Sequence, residues 1–329
     1  MNATNQKKTH TQIPATIFSG FLGSGKTTII SNLIDELQSQ NQQVIYIKNE
    51  IGDTDIDGKV MEGKGIKTKE LLNGCICCTL VGPFITSINE VIESFSPDRI
   101  IIEASGAADP SAIALMISSH PKLDRDGVVG IIDVVNFDGY KDLSITTQNQ
   151  TKFTDLIIFN KIELVDINKK KAVVGYVREL NTHSPIIEAP NGKVPAKLIF
   201  GLNSKDLSAI LEDLKASDSN HSYTDHIHED NIQSFNLNPE GKFNKDELEE
   251  TINKTPKNIF RIKGFVKLED DKFYLLNSVG KRTDFVLLET EKNTPEYSRI
   301  SENLLIFIGF MVHDYKHEVK ESIDAIAKK

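Results

Sequence analysis

All three cysteines of the chain lie within four positions, in the segment Gly74-Cys75-Ile76-Cys77-Cys78. Thiolates are soft, charged ligands that bind Zn²⁺ and, in other surroundings, Cu(I), Co²⁺ or Fe²⁺. Three sulfur ligands leave one position of a tetrahedral ion open, and that position can exchange a carboxylate, a water molecule or a group of another protein. The spacing predicts a transition-metal site, with zinc as the expected ion and Cys75, Cys77 and Cys78 as its ligands.

Two other interpretations of the cysteine segment stay open. The thiols could belong to a structural zinc site that a distant histidine or carboxylate completes. They could also be redox-active, although a disulfide between adjacent Cys77 and Cys78 would be strained.

Glu50 follows a predicted strand and is a further candidate metal ligand, or a link between metal and nucleotide. A solvent-exposed carboxylate without such a role is the equal alternative for Glu50.

A second chemically distinctive segment, Gly20-Phe-Leu-Gly-Ser-Gly-Lys-Thr27, matches the pattern G-x-x-x-x-G-K-[ST] of phosphate-binding loops. Glycines let backbone N–H groups approach phosphate oxygens, and the following helix presents its positive N-terminus to them. Lys26 is expected to reach the β- and γ-phosphates, and the Thr27 hydroxyl to bind Mg²⁺. The predicted nucleotide-binding residues of this loop are Gly20, Gly23, Ser24, Gly25, Lys26, Thr27 and Thr28.

A nucleotide hydrolase also needs an acidic group and a γ-phosphate contact at the end of another strand. The segment Arg99-Ile-Ile-Ile-Glu103-Ala-Ser-Gly106 supplies both groups. Glu103 is expected to hold Mg²⁺ through water, and the Gly106 N–H to contact the γ-phosphate. A strand that merely ends in these residue types is the alternative interpretation.

Guanine recognition is predicted at Asn160-Lys161-Ile162-Glu163, which follows an apolar run. In an N-K-x-D element the acidic residue accepts hydrogens from the guanine ring, Asn contacts the base edge and the Lys stem covers the base. Here Glu163 stands where Asp is usual, so the carboxylate lies one methylene further out. The predicted nucleotide is GTP.

The elements that must position these residues follow from hydrophobic periodicity. Short β-branched runs alternate with helix-length segments through the first two hundred residues, which indicates βαβ units and a mostly parallel sheet with helices on both faces. The predicted strands are Ala15–Phe18, Val44–Ile47, Ile100–Ile102, Val128–Val134, Leu156–Phe159 and Ile186–Ile187.

The pattern changes after Leu214. Residues 215–230 are polar and contain three histidines, which is typical of a linker. Strands are predicted beyond it at Ile259–Leu268, Phe273–Val279 and Phe285–Leu288, with flanking helices. We therefore expect a flexible N-terminus (1–12), a P-loop domain (13–214), the linker (215–230) and a smaller C-terminal α+β domain (231–329).

Composition excludes several classes of function. Among 329 residues, 38 Lys and Arg stand against 47 Asp and Glu, so the formal net charge is −9. An acidic chain is a poor partner for nucleic acid or for a polybasic membrane contact. No apolar run reaches the about 20 residues that span a bilayer, and residues 1–12 lack the apolar core of a secretion signal. A cytoplasmic location is expected; the oligomeric state stays open.

Together these residues resemble the CobW family of P-loop GTPases, which includes nitrile hydratase activators and zinc metallochaperones. The resemblance covers nearly the whole chain, and its most specific element is C-x-C-C. The matching segments are GFLGSGKTT (20–28), KNEIG (48–52), ELLNGCICCTL (70–80), EASGAADP (103–110), IIDVVNF (131–137), NKIELV (160–165), FRIKGFVKL (260–268) and NLLIFIG (303–309).

The resemblance implies a GTPase that binds a transition metal at C-x-C-C and delivers it to a client metalloprotein. The chain departs from the family pattern in two ways: Glu163 stands where Asp is usual, and the linker has fewer histidines than in many members.

Two other functions stay open from the residues alone. One is a P-loop phosphotransferase with a structural zinc site, and the other is a metal buffer or sensor that binds GTP without hydrolysing it.

Overall fold

The structure is a computed structural model that describes residues 12–48, 67–70, 81–105, 110–139, 145–201, 232–280, 282–288 and 302–328. These residues form two β-sheets, and helices pack on both of them. Within these ranges, no helix combines the length and the apolar character that crossing a membrane requires. The predicted linker 215–230 lies outside the described residues.

The first sheet has seven strands in the order β3-β2-β4-β1-β5-β6-β7, and every pairing between neighbours is parallel. Runs such as Arg99–Glu103 are buried along their whole length, as expected for parallel strands covered on both faces. The strands are β1 (Ile13–Gly20), β2 (Val44–Lys48), β3 (Lys67–Glu70), β4 (Arg99–Glu103), β5 (Leu123–Asp133), β6 (Leu156–Asn160) and β7 (Ile186–Ala189).

Helices cover both faces of this sheet. Side chains alternate along a strand, so Ile101 packs with α1, whereas Ile100 and Ile102 pack with α2 and α3. This arrangement confirms the predicted P-loop α/β fold. The helices are α1 (Lys26–Ser39), α2 (Val81–Phe95), α3 (Pro110–Ser118), α4 (Ile145–Lys152), α5 (Ile167–Leu180) and α6 (Ala196–Ile199).

The second sheet has five strands in the order β11-β10-β9-β12-β8, and its pairings are antiparallel. Apolar residues of α7 and α8 pack on it in one cluster. This α+β unit confirms the predicted C-terminal fold class. Its elements are β8 (Ile232–Leu237), α7 (Lys245–Asn253), β9 (Ile259–Lys267), β10 (Phe273–Val279), β11 (Arg282–Leu287), β12 (Leu304–Phe310) and α8 (Lys316–Ile326).

A buried charge cluster and a shared apolar core join the two sheets. Asp126 of β5 is fully buried and pairs with Arg99 of β4 at 2.5 Å and with Arg261 of β9. Burial raises the pKa of Asp126, but the two guanidinium groups outweigh burial and hold that pKa well below its usual range. Phe260 of β9 packs in the same cluster as Phe200, which follows α6. The C-terminal sheet is therefore packed against the first.

Candidate functional site: a phosphate-binding loop and its neighbours

The phosphate-binding loop connects β1, which ends at Gly20, to α1, which begins at Lys26. Glycine is required at two positions of the loop, because neighbouring atoms lie too close to leave room for a Cβ. A Cβ on Gly20 would lie 2.3 Å from the Ile131 carbonyl oxygen, and a Cβ on Gly25 would lie 2.2 Å from Asn160 Nδ2. Gly25 also has φ 91°, in the region that glycine adopts most readily. The loop therefore packs against the ends of β5 and β6.

Lys26 folds back over this loop. Its buried ammonium donates hydrogen bonds to the carbonyl oxygens of Gly20 at 3.0 Å and Phe21 at 3.2 Å. The Ser24 hydroxyl is also buried, and it makes no hydrogen bond to the described residues. A lysine ammonium, a buried hydroxyl and a helix N-terminus converge here, and this set of donors fits the phosphates of a nucleotide.

Glu103 ends β4 beside the loop, and two hydroxyl groups contact its carboxylate. The Tyr46 hydroxyl donates to Oε2 at 2.6 Å, and the Thr27 hydroxyl donates to the same oxygen at 3.3 Å. Burial raises the pKa of Glu103, while Tyr46, Lys26, Lys48 and Thr27 oppose that rise. The structure thus brings together two predicted residues, Thr27 and Glu103. Their oxygen atoms fit Mg²⁺, which binds through carboxylate, hydroxyl and water oxygens and would neutralise phosphate charge there.

The predicted base-recognition residues lie on the other side of the loop. Asn160, at the end of β6, donates from Nδ2 to the Ser24 carbonyl at 2.8 Å. Lys161 follows with a left-handed backbone, φ 61°, and its ammonium donates to the Gly23 carbonyl at 2.9 Å. These contacts tie the end of β6 to the phosphate-binding loop.

Glu163 lies in a short 3₁₀ turn and accepts a hydrogen bond from the Asn191 backbone N–H at 3.1 Å. The turn Pro190–Gly192 follows β7 and also contacts α1, because Asn32 Nδ2 donates to the Gly192 carbonyl at 2.9 Å. A Cβ on Gly192 would lie 3.3 Å from the Thr28 methyl group, so Thr28 faces this turn. The longer side chain of Glu163 reaches a backbone donor of the neighbouring loop.

Three features of the site escaped the sequence analysis. They are Tyr46, the carboxylate of Asp133 and the turn Pro190–Gly192. Tyr46 looks like an ordinary core residue of an apolar strand, and the turn carries no recognised pattern. Asp133 had a usable signal: it ends a strand of a parallel sheet, as Glu103 does, and the carboxyl ends of such strands lie at the same edge.

Several predicted site residues lie outside the described residues: Glu50, Cys75, Cys77, Cys78 and Gly106. Within the described ranges, no group of three or more His, Cys, Asp or Glu side chains could hold a metal ion. The predicted metal site thus remains a sequence-based prediction.

Two family models match the chain. Residues 14–188 match the model described as "CobW/HypB/UreG, nucleotide-binding domain". Residues 232–327 match the model described as "Cobalamin synthesis protein cobW C-terminal domain". The first model covers more than half of the chain, and it includes the phosphate-binding loop and the residues that contact it.

Individual proteins are also similar to this chain in sequence. A Sinorhizobium protein named zinc chaperone CobW is 30% identical over 320 residues, covering 85% of this chain and 89% of that protein. An Escherichia coli K12 protein named zinc chaperone YjiA is 27% identical over 200 residues, covering 58% of this chain and 62% of that protein.

Solved structures align as well. The Zn(II)-bound YjiA GTPase from E. coli aligns over 97% of this chain and 100% of that chain, with a TM-score of 0.45 and 17% identity. HypB from Helicobacter pylori in complex with nickel aligns over 64% of this chain and 92% of that chain, with a TM-score of 0.40 and 20% identity. The matches to the family models and the identity with the Sinorhizobium protein show that the chain belongs to the CobW/HypB/UreG family of P-loop GTPases and carries the CobW C-terminal domain.

Proposed function

We propose that the chain is a GTP-hydrolysing metallochaperone that binds zinc at Cys75, Cys77 and Cys78 and transfers it to a client metalloprotein of the cytoplasm. The observation that carries the proposal is the alignment of 85% of the chain with a protein named zinc chaperone CobW. The nucleotide part is supported by the loop around Lys26 and by the hydroxyl and carboxylate of Thr27 and Glu103.

The place of the cysteine segment in the chain supports a link between metal and nucleotide. Glu70 ends β3 and pairs in register with Lys48 of β2, which pairs in turn with Glu103 of β4. Glu70 and Glu103 therefore lie at the same end of the sheet, the one formed by the carboxyl ends of its parallel strands. All three cysteines follow Glu70 within eight residues of the sequence.

Nucleotide state is expected to control zinc affinity through this link. In P-loop switches the γ-phosphate and Mg²⁺ order segments that hydrolysis then releases. If such ordering tightens zinc binding, zinc must tighten GTP binding by the same factor, because linkage is reciprocal. Hydrolysis would then loosen the metal beside a docked client. No arginine finger accompanies the sequence motifs, so turnover without a partner should be slow.

Zinc affinity measured in two nucleotide states tests the proposal. The reduced full-length chain is titrated with Zn²⁺ against a chromophoric chelator, once with a non-hydrolysable GTP analogue and once with GDP. We expect tighter binding with the analogue by about tenfold, a typical size for allosteric coupling. The variant Cys75→Ser should lose most of the affinity. His317→Ala, which changes an exposed histidine of α8, should retain it.

The titration, together with an assay of GTP turnover, separates the other functions. Equal zinc affinity in both states would contradict the coupling, and inert stoichiometric zinc with phosphoryl transfer to a small molecule would indicate a phosphotransferase. Negligible hydrolysis with zinc and a client present would indicate a buffer or sensor. Lys26→Ala should abolish GTP hydrolysis and leave zinc on the thiols. A parallel titration with Co²⁺ tests the choice of cargo.

A further inference from the structure

We propose that Asp133 is a positioning residue for nucleotide binding, which holds the Lys161 side chain against the phosphate-binding loop. The inference rests on the assignment of Asn160, Lys161 and Glu163 as the base-recognition element in the proposed function. Asp133 ends β5 and pairs in register with Asn160, which ends β6. Lys161 is the next residue, so the two side chains start from neighbouring strand ends.

The Asp133 carboxylate accepts hydrogen bonds from four donors. Oδ1 accepts from the backbone N–H groups of Val135 at 2.9 Å and Asn136 at 3.3 Å. Oδ2 accepts from Asn136 Nδ2 at 2.8 Å and from the Lys161 ammonium at 2.7 Å. Because both oxygens must accept, an amide in place of the carboxylate would turn an N–H₂ group toward donors on one side or the other.

The carboxylate is ionised at neutral pH in this setting. Burial raises the pKa of Asp133, but the Lys161 ammonium and the Asn136 amide outweigh burial and hold that pKa below its usual range. The pair with Lys161 is therefore a charge-assisted hydrogen bond, which is stronger than one between neutral groups. Lys161 itself stays partly exposed, with 31% of its side chain accessible.

The Lys161 ammonium bridges two elements. It donates to Gly23 in the phosphate-binding loop at 2.9 Å as well as to Asp133 at the end of β5. Its hydrocarbon stem therefore runs from the end of β6 to the loop, held at one end by the backbone and at the other by the hydrogen bonds of the ammonium. The Gly23 carbonyl is neutral, so Asp133 supplies the charged partner that fixes the stem where a base would stack on it. Phe137, in the same segment as Asp133, also packs against Phe21 of the loop.

The test substitutes Asp133→Asn and measures the dissociation constant of a fluorescent GDP together with kcat and KM for GTP. We expect nucleotide affinity to fall about tenfold, the scale of one hydrogen bond to a charged group. KM should rise in parallel while kcat changes less than twofold, because the group acts on binding and not on the reacting phosphate. Unchanged affinity in a folded Asp133→Asn variant would overturn the proposal.

Two controls exclude a merely structural role. Asn136→Ala removes another donor to Oδ2 but leaves the Lys161 contact, and it should keep at least half of the affinity. Asp138→Asn changes an exposed aspartate of the same segment that pairs with Lys169, and it should have no effect. An Asn136→Ala variant as weak as Asp133→Asn would show that the turn carries the effect, which contradicts the proposal.

A double-mutant cycle with Lys161→Met separates this inference from the proposed function. Asp133→Asn in the Lys161→Met background should cost little further affinity, since the partner is already gone. Additive losses would overturn the positioning role. If Lys161→Met alone leaves GDP affinity unchanged, the base-recognition assignment itself fails. If only Lys161→Met weakens binding, the assignment stands and the role of Asp133 falls.

Discussion

At the scale of single residues, the surroundings of Glu103 limit the rise in pKa that burial imposes on its carboxyl group. The side chain is 7% exposed, and burial alone would favour its neutral form. The Tyr46 hydroxyl at 2.6 Å and the Thr27 hydroxyl at 3.3 Å favour the charged form and orient Oε2. Tyr46 reaches this carboxylate from the buried strand β2, so its direction is fixed by core packing.

Replacing Tyr46 with Phe is expected to weaken the magnesium site specifically. The change removes one hydroxyl and keeps the ring in the core, while Glu103 loses its shortest hydrogen bond. Loss of a partner that orients a metal-binding group typically lowers metal affinity by about tenfold. The Mg²⁺ concentration that half-saturates GTP hydrolysis should rise by that factor. Binding of fluorescent GDP in EDTA, a second readout, should stay unchanged.

A matched control removes the same atom far from the site. Tyr274→Phe deletes a hydroxyl that donates to Asp270 at 2.8 Å on the C-terminal sheet. This variant should keep the wild-type dependence on Mg²⁺. An unaltered Mg²⁺ dependence in Tyr46→Phe would show that Glu103 is oriented without its tyrosine partner.

At the scale of secondary-structure elements, two glycine-to-alanine changes should have opposite signs. Gly264 lies in β9 with φ 156°, and a Cβ there would be 1.9 Å from the Leu304 carbonyl of β12. The backbone of two paired central strands must shift, so Gly264→Ala should lower the free energy of unfolding by several kcal/mol. Unfolding in denaturant, followed by circular dichroism, measures this loss.

The matched change is Gly175→Ala in helix α5. A Cβ at Gly175 meets nothing within 4 Å, and alanine favours the helix. This variant should gain about 0.5–1 kcal/mol in the free energy of unfolding. A Gly264→Ala variant as stable as the wild type would show that the close approach of β9 and β12 does not require glycine at position 264, and a loss in Gly175→Ala would show that its Cβ is not accommodated freely.

The elements that sequence analysis predicts are those whose own side chains carry the pattern. Buried parallel strands such as β4 appear as β-branched runs, and the glycines of the phosphate-binding loop appear as a motif. β3 is a four-residue edge strand of sequence KTKE, so no apolar alternation marks it. The contacts of Asp133 depend on which strand lies beside β5, and strand order cannot be read from a local pattern. The central strand β12 matched the family resemblance but was not among the predicted strands.

At the scale of the whole molecule, the two sheets meet at a cluster of acidic and basic side chains. Asp124 of β5 lies there with Asp126, and Arg261 and Arg282 of the second sheet face it together with Asp284. Burial, followed by the charges of Asp126 and Asp284, raises the pKa of Asp124 to about 6 despite the two guanidinium groups. A neutral Asp124 thus fits the contact between the sheets better than an ionised one.

The raised pKa makes the free energy of unfolding depend on pH. The pKa of Asp124 near 6 in the folded chain exceeds its ordinary value of 3.8, so the neutral carboxyl group contributes its full stabilisation below about pH 3.8, and this stabilisation is lost as the pH rises through 6. Asp124→Asn removes the titration and keeps the shape. The variant should therefore exceed the wild type in free energy of unfolding at pH 7.5 by about 2 kcal/mol, because solvent screens part of the charge on this partly exposed side chain.

Denaturant unfolding at pH 5 and at pH 7.5 measures this difference, which should grow between the two values. Glu93→Gln, an exposed carboxylate 3.7 Å from Lys122, makes the same change in net charge and should shift stability little at either pH. The effect of pH on stability has the opposite sign at Asp126. The pKa of Asp126 is lowered, so its ionised form stabilises the folded chain until the pH falls far below neutrality. A variant gain that is equal at both pH values would mean that Asp124 does not titrate between the sheets, and a variant loss at pH 7.5 would mean that its ionised form is favoured there.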